Sequence, residues 1–185
     1  FIIFSLVVDL GVINPTTINW LMDGDSGSHF LGWQFFRYSP MLQWPIGANS
    51  NYGLDWASSS IIYVDSVPLL AIFLKFFNSW LPENFQYSGL WLLFCFFMQG
   101  FIAWKILSKF TNNKFLPIIG SIFFLIAPSF LFRIQFHYGL SAHWLILYAI
   151  YLYLENKNVL KYWVFLLVIS FLIMPYIFVM LIPIW

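Results

Sequence analysis

Charge is missing from long stretches of this sequence, and that absence constrains the fold more than any motif does. No acidic or basic side chain occurs between Glu83 and Lys105, between Lys114 and Arg133, or between Lys161 and Trp185. Runs of this length are comparable with the roughly 20 apolar residues that a helix needs to cross a bilayer. Only 8% of the residues are charged, 62% are hydrophobic and 23% are aromatic, with a mean hydropathy of +0.83. Soluble domains carry about 25% charged residues. A chain so poor in charge cannot cover its own surface with polar groups. The composition therefore predicts an all-α integral membrane protein, a multi-spanning helical bundle. The net charge of +1 excludes the electrostatic footprint of a nucleic-acid binder. The single Cys95, in the apolar run LWLLFCFFM, has no internal disulfide partner and reads as a small core residue.

Taken in order, residues 1–13 read as the end of a first span, since the run is too short to cross alone. The chain opens on Phe1 and stops at Trp185 inside an apolar run, so an N- and C-terminally truncated fragment of one membrane domain is expected. Asn14-Pro15 ends that segment, because proline cannot continue the hydrogen-bond ladder. Residues 14–88 then form a long loop carrying two juxtamembrane helices, at about 28–38 and 66–80. Ser26 or Ser28 is expected to cap the first, and Pro68 suits the first turn of the second. Pro40, Pro45, Gly47 and Asn49-Ser50-Asn51 predict an irregular connection between them. Spans follow at about 89–107, 115–132, 141–154 and 162–185, the last bent at Pro175 and Pro183.

Lysines orient this arrangement. Lys105, Lys109 and Lys114 mark one cytoplasmic loop, and Lys157 with Lys161 marks another two spans later. Counting back puts residues 78–88 outside. Lys75 interrupts the short apolar run from Val67 to Phe77, so that segment is expected to lie on the membrane rather than cross it. The whole 14–88 loop then faces the outer, periplasmic side of a bacterial inner membrane. Asp23, Asp25, Asp55, Asp65, Arg133 and His137 all gather there.

DGDSGSHFLGWQFFR, at residues 23–37, holds two of the seven acidic residues, one of three histidines and one of two arginines. An external acidic loop followed by two juxtamembrane helices resembles the GT-C superfamily of membrane glycosyltransferases. Asp23-Gly24-Asp25 resembles the acidic motif opening the first juxtamembrane helix, and Asp65-Ser66-Val67-Pro68-Leu69 stands where relatives start the second. More closely, DGDSGSHFLGWQFFR, QWPIGANSNYGLDW, VDSVPLLAIFLKFF and HYGLSAHW look like an uncharacterised bacterial multi-pass family with GT-C-type organisation. The chain departs from the superfamily pattern in having neither an Asp-Glu pair at the first motif nor His-Pro-Pro at the second.

The resemblance implies transfer of a sugar from a polyprenyl-phosphate-linked donor to an acceptor that the sequence does not name. It implies a carboxylate that takes the proton of an acceptor hydroxyl, and a cation that receives the leaving phosphate. Asp25 is the expected base, with Asp23 second; helix capping is the structural alternative for Asp25. Arg133 is the expected phosphate ligand, against snorkelling to lipid headgroups. His29, His137 and Asp65 complete the expected substrate-binding set, although Asp65 also suits an N-cap. Arg37 reads as a lipid contact, and Trp20, Trp33, Trp44, Trp56 and Trp80 as an interfacial belt. No metal cluster stands out. The Asp23/Asp25 spacing is compatible with a divalent cation, and some members of the resembled class use one. Lipid-linked donor and membrane lipid are the expected partners. A transporter or flippase for lipid-linked saccharides, or a non-catalytic assembly subunit, are the rival readings.

Overall fold

Prolines and two left-handed residues cut this sequence into short helices where long unbroken spans were expected. The computed structural model describes residues 1–54, 57–155 and 160–185. After α1 (Ile2–Val7) come two 3₁₀ turns, Leu10–Ile13 and Asn19–Leu21, and then α2 (Gly24–Arg37). An antiparallel hairpin follows, β1 (Ala48–Leu54) and β2 (Ala57–Ser60), and then α3 (Pro68–Lys75). The chain continues through α4 (Ser88–Leu107), α5 (Leu116–Leu125), α6 (Pro128–Phe136), α7 (Trp144–Leu154), α8 (Leu160–Ile173) and α9 (Pro175–Leu181).

This architecture corrects the expectation of an all-α, multi-spanning bundle. Among the described residues, only α4 is long and apolar enough on its own to cross a membrane; α5 and α6 together would make a second candidate, bent by 48°. The break between them follows from Pro128. The residue before a proline avoids the helical region, and Ala127 is extended at φ −58°, ψ 126°. Pro175 acts likewise: Met174 lies at φ −157°, ψ 112°, and the expected 162–185 span becomes two helices. The expected 141–154 span begins only at Trp144, and its 11 residues extend about 16 Å, half the thickness of a bilayer core. At the N-terminus the apolar run is a six-residue helix, and Asp9 accepts the Gly11 N–H to cap the next 3₁₀ turn.

The outer-loop expectations shift in detail. α2 starts at Gly24, earlier than the expected residue 28, with Asp23 at the N-cap position but making no capping bond. Ser26 and Ser28 therefore lie inside the helix. α3 covers only eight of the expected residues 66–80, about 12 Å, because Val67 at φ +47° interrupts the chain before Pro68. The irregular connection instead contains the hairpin, with Ala48 opposite Ser60, Leu54 opposite Ala57, and an irregular register between Asn49 and Gly53. ANSNYGL and ASSS have no alternation of apolar and polar residues, the pattern by which strands are recognised. Tertiary bonds hold the hairpin instead: the buried Asn49 amide donates to Gly32 O at 2.9 Å, and the Gln43 amide donates to Ala48 O at 2.6 Å. Asp55, Trp56 and Lys157 lie outside the described residues.

α4 is the centre of the packing, against α5, α7 and the Leu10–Ile13 turn. It buries Leu92, Cys95, Phe96, Ile102 and Ala103 on one side and leaves Phe94, Phe97 and Phe101 exposed on the other. α3 bridges α2 and α8. Gln86, almost fully buried, fastens the N-terminal segment to the start of α4: its amide donates to Val12 O and Asn14 O at 2.8 Å, and its carbonyl accepts from Gly89 N at 3.0 Å.

Two cations expected at the surface are inside. Arg37, 2% exposed, donates to Asn78 Oδ1 at 2.5 Å and to Pro82 O and Glu83 O at 3.0 Å. It is a clamp on residues 78–83 rather than a lipid contact. Lys75, 3% exposed, donates to Ser39 Oγ at 2.6 Å and Pro40 O at 3.0 Å. Trp33 is likewise buried, donating to Phe85 O, while Trp44 and Trp80 are exposed.

Candidate functional site

Residue Asp65 is held by its neighbours in a backbone conformation it would not choose. Its φ of +49° is in the left-handed region, which costs a non-glycine residue of order 1 kcal/mol and persists only when the surroundings over-determine it. Here they do. The His29 ring on α2 bonds Val64 O through Nδ1 at 2.8 Å, and Ser66 Oγ donates to His29 O at 2.6 Å. The Tyr87 hydroxyl donates to Ser66 O. Residues on either side of Asp65 are thereby tied to α2 and to the start of α4. Asp65 does not cap α3; Val67 occupies that position, without a side-chain cap.

The Asp65 carboxylate is almost enclosed, with its side chain 8% exposed. Oδ1 accepts the Gly139 N–H at 2.9 Å. Glycine is required there, since a Cβ at residue 139 would overlap Oδ1. Oδ2 is buried and has no hydrogen-bond partner among the described residues. Two imidazoles face it at ion-pair range, His137 Nδ1 at 3.6 Å and His29 Nε2 at 3.7 Å, each longer than a hydrogen bond. Burial pushes the Asp65 carboxyl up to about 6, against the opposing pull of the Gly139 N–H, His137 and Arg133.

Arg133, in the last turn of α6, acts on Asp65 through its charge and lines a cavity of about 390 Å³ with Ser129, Leu140, His143, Tyr176, Ile177 and Met180. Its charge also acts on His143, whose pKa is lowered first by burial and then by the guanidinium. Two other cavities, of about 520 and 500 Å³, are lined by aliphatic and aromatic side chains.

The fold therefore brings together His29, Asp65 and His137, with Arg133 near enough to act on the carboxylate. Asp23 and Asp25 stand apart from them, exposed at the start of α2, and their carboxylates make no hydrogen bond or ion pair among the described residues. Asp25 is one helical turn ahead of His29, on the same side of α2. Three supporting residues escaped the sequence reading: Ser66, Tyr87 and Gly139. Gly139, two residues after His137 in HYGL, carried the only local signal, a glycine beside a histidine at a helix end.

Among the described residues, His29, Asp65 and His137 are also the group able to hold a metal, with their ligand atoms all within 4.8 Å of one another. Among the described residues the Asp23/Asp25 pair recruits no third ligand.

No curated protein and no solved structure matches this chain. The sequence profile of one family matches residues 1–185, and the chain belongs to that family, described as a domain of unknown function (DUF6311).

Proposed function

We propose that this chain forms part of a membrane-associated glycosyltransferase, moving a sugar from a polyprenyl-phosphate-linked donor to an acceptor hydroxyl at the outer membrane face. The observation that carries this reading is the position of Arg133, on a cavity shared with His143 and within electrostatic reach of Asp65. The order of the DGDSGSHF, VDSVPLL and HYGLSAHW motifs supports it, and so do exposed aromatics such as Phe97, Phe110, Phe123 and Phe165, which suit contact with lipid.

In this reading Asp25 takes the proton from the acceptor hydroxyl as the new bond to the anomeric carbon forms. The bond from that carbon to the phosphate oxygen breaks, and the polyprenyl phosphate leaves with the electron pair. Arg133 meets the charge that gathers on it, as guanidinium geometry allows. Asp65 is too enclosed to reach an acceptor hydroxyl, so its part is electrostatic.

Transfer of radiolabelled sugar from a lipid-linked donor, measured with the protein in membranes, tests the assignment. Arg133→Ala is expected to slow transfer by about 100-fold, with Arg133→Lys retaining part of the rate. Asp25→Asn is expected to cost at least about 100-fold. Transfer at the native rate in both Arg133→Ala and Asp25→Asn overturns the reading. So does a wild-type protein that moves the lipid-linked sugar across the bilayer without transferring it.

A further inference from the structure

We propose that His29 Nε2, Asp65 Oδ2 and His137 Nδ1 form a binding site for a zinc-type divalent cation. The inference goes beyond sugar transfer and stands on the geometry of these three residues.

The cluster has more acceptors than donors. The two His29 ring nitrogens each face a carbonyl, Nδ1 to Val64 O at 2.8 Å and Nε2 to Phe136 O at 3.0 Å. A neutral imidazole carries only one N–H. Nε2 also faces the unpartnered Asp65 Oδ2, itself faced by His137. A donor or a cation is missing among these atoms, and a second proton on His29, a proton on Asp65 Oδ2 or a metal ion supplies it.

Spacing and support favour the metal. Zinc bonds imidazole nitrogen and carboxylate oxygen at about 2.0–2.2 Å, which puts neighbouring ligands of a tetrahedron about 3.4 Å apart. The two edges to Oδ2, 3.6 and 3.7 Å, are a few tenths wider, and all three ligand atoms lie within 4.8 Å of one another, so the two rings have to draw toward each other as well as toward Oδ2 to close the site. Ligating histidines are usually oriented by a bond from the other ring nitrogen, and His29 Nδ1 has one, to Val64 O. Oδ1 of Asp65 is fixed by Gly139, so Oδ2 is left for the ion. Two imidazoles and one carboxylate suit zinc or a neighbouring transition metal better than magnesium or calcium, which prefer all-oxygen sets. The His137 side chain is 31% exposed, and that side offers water or substrate a fourth position.

The chain, stripped with chelator in detergent, is titrated with zinc alone against a chromophoric competitor. One equivalent is expected to bind, and the same zinc is expected to raise the Tm. Asp65→Asn keeps the Oδ1 acceptor and tolerates a left-handed backbone, so it removes the ligand without disturbing the fold. It is expected to weaken zinc at least about 100-fold, beyond the 10- to 100-fold that loss of an orienting partner costs. His137→Ala is expected to behave alike, and His143→Gln to leave affinity unchanged. Because no donor or acceptor sugar is present, the result is independent of transfer activity. Equal zinc affinity in wild type and Asp65→Asn overturns the site. Nitrogen NMR showing both His29 ring nitrogens protonated in the presence of excess zinc also overturns it.

Discussion

Around Arg37 and Lys75 the chain buries positive charge, and around Asp65 it buries negative charge. The two regions satisfy their charges unequally. Arg37 meets Asn78 Oδ1 and the carbonyls of Pro82 and Glu83, and Lys75 meets Ser39 Oγ and Pro40 O. Among the described residues neither forms an ion pair with a carboxylate, although Glu83 acts on Arg37 at longer range, and backbone oxygens and side chains take up their N–H groups. Asp65 has one good bond, from Gly139, while Oδ2 faces two rings at distances too long to be hydrogen bonds. A fully bonded buried charge fixes structure. One left short of partners at the meeting of three segments is where a ligand has something to add.

The contrast breaks first at Arg37. Arg37→Met removes the clamp on residues 78–83 and leaves several carbonyls without their donor. The expected loss is about 3 kcal/mol, or about 9 °C in Tm for a chain of this size, read by thermal denaturation. A fall of only a degree or two shows that water replaces the guanidinium, and that this region is no better satisfied than the other.

The Gly139 position sharpens the comparison from the other side. Gly139→Ala puts a methyl group onto Asp65 Oδ1, the one atom of that carboxylate with a good partner. The segment after α6 has to move, at an expected cost of about 2 kcal/mol. Zinc affinity is expected to fall with it, because Oδ2 turns with Oδ1. Unchanged affinity in Gly139→Ala shows that the carboxylate is not held by Gly139 for binding.

What was legible in the sequence follows the same division between local and distant causes. α4 lies almost where its apolar run put it, Ser88–Leu107 against 89–107, because length and hydropathy are local properties. Pro128 and Pro175 were visible too, but whether a proline bends a helix or ends it depends on what the next segment packs against. The hairpin left no trace, since Asn49 and Gln43 hold it through bonds to partners that spacing does not reveal. His29, Asp65, Arg133 and His137 each stood out as rare polar residues in an apolar chain. Their convergence did not, because it depends on a left-handed Asp65 and on Gly139 lying 74 positions away. Lys75 was read as a mark against membrane crossing; the fold gives it a bonded place beneath Ser39.

The smallest effect has the opposite sign. Asp65→Asn in chelator-treated protein exchanges an under-bonded buried anion for a neutral amide of the same shape. The new N–H₂ donates where Oδ2 could only accept, and the imidazole nitrogens of His137 and His29, 3.6 and 3.7 Å from Oδ2, give it an acceptor. Leaving a buried charge unpaired costs more than an amide with a partner, so the variant is expected to melt above wild type, by about 1 kcal/mol. Most substitutions at buried positions destabilise, and a rise in Tm at such a site is therefore informative. A residue whose removal stabilises the empty protein is retained for something other than folding, whereas Arg37 is retained for folding itself. If Asp65→Asn lowers the Tm as Arg37→Met does, Asp65 is a structural charge like the others, and the two regions differ only in sign.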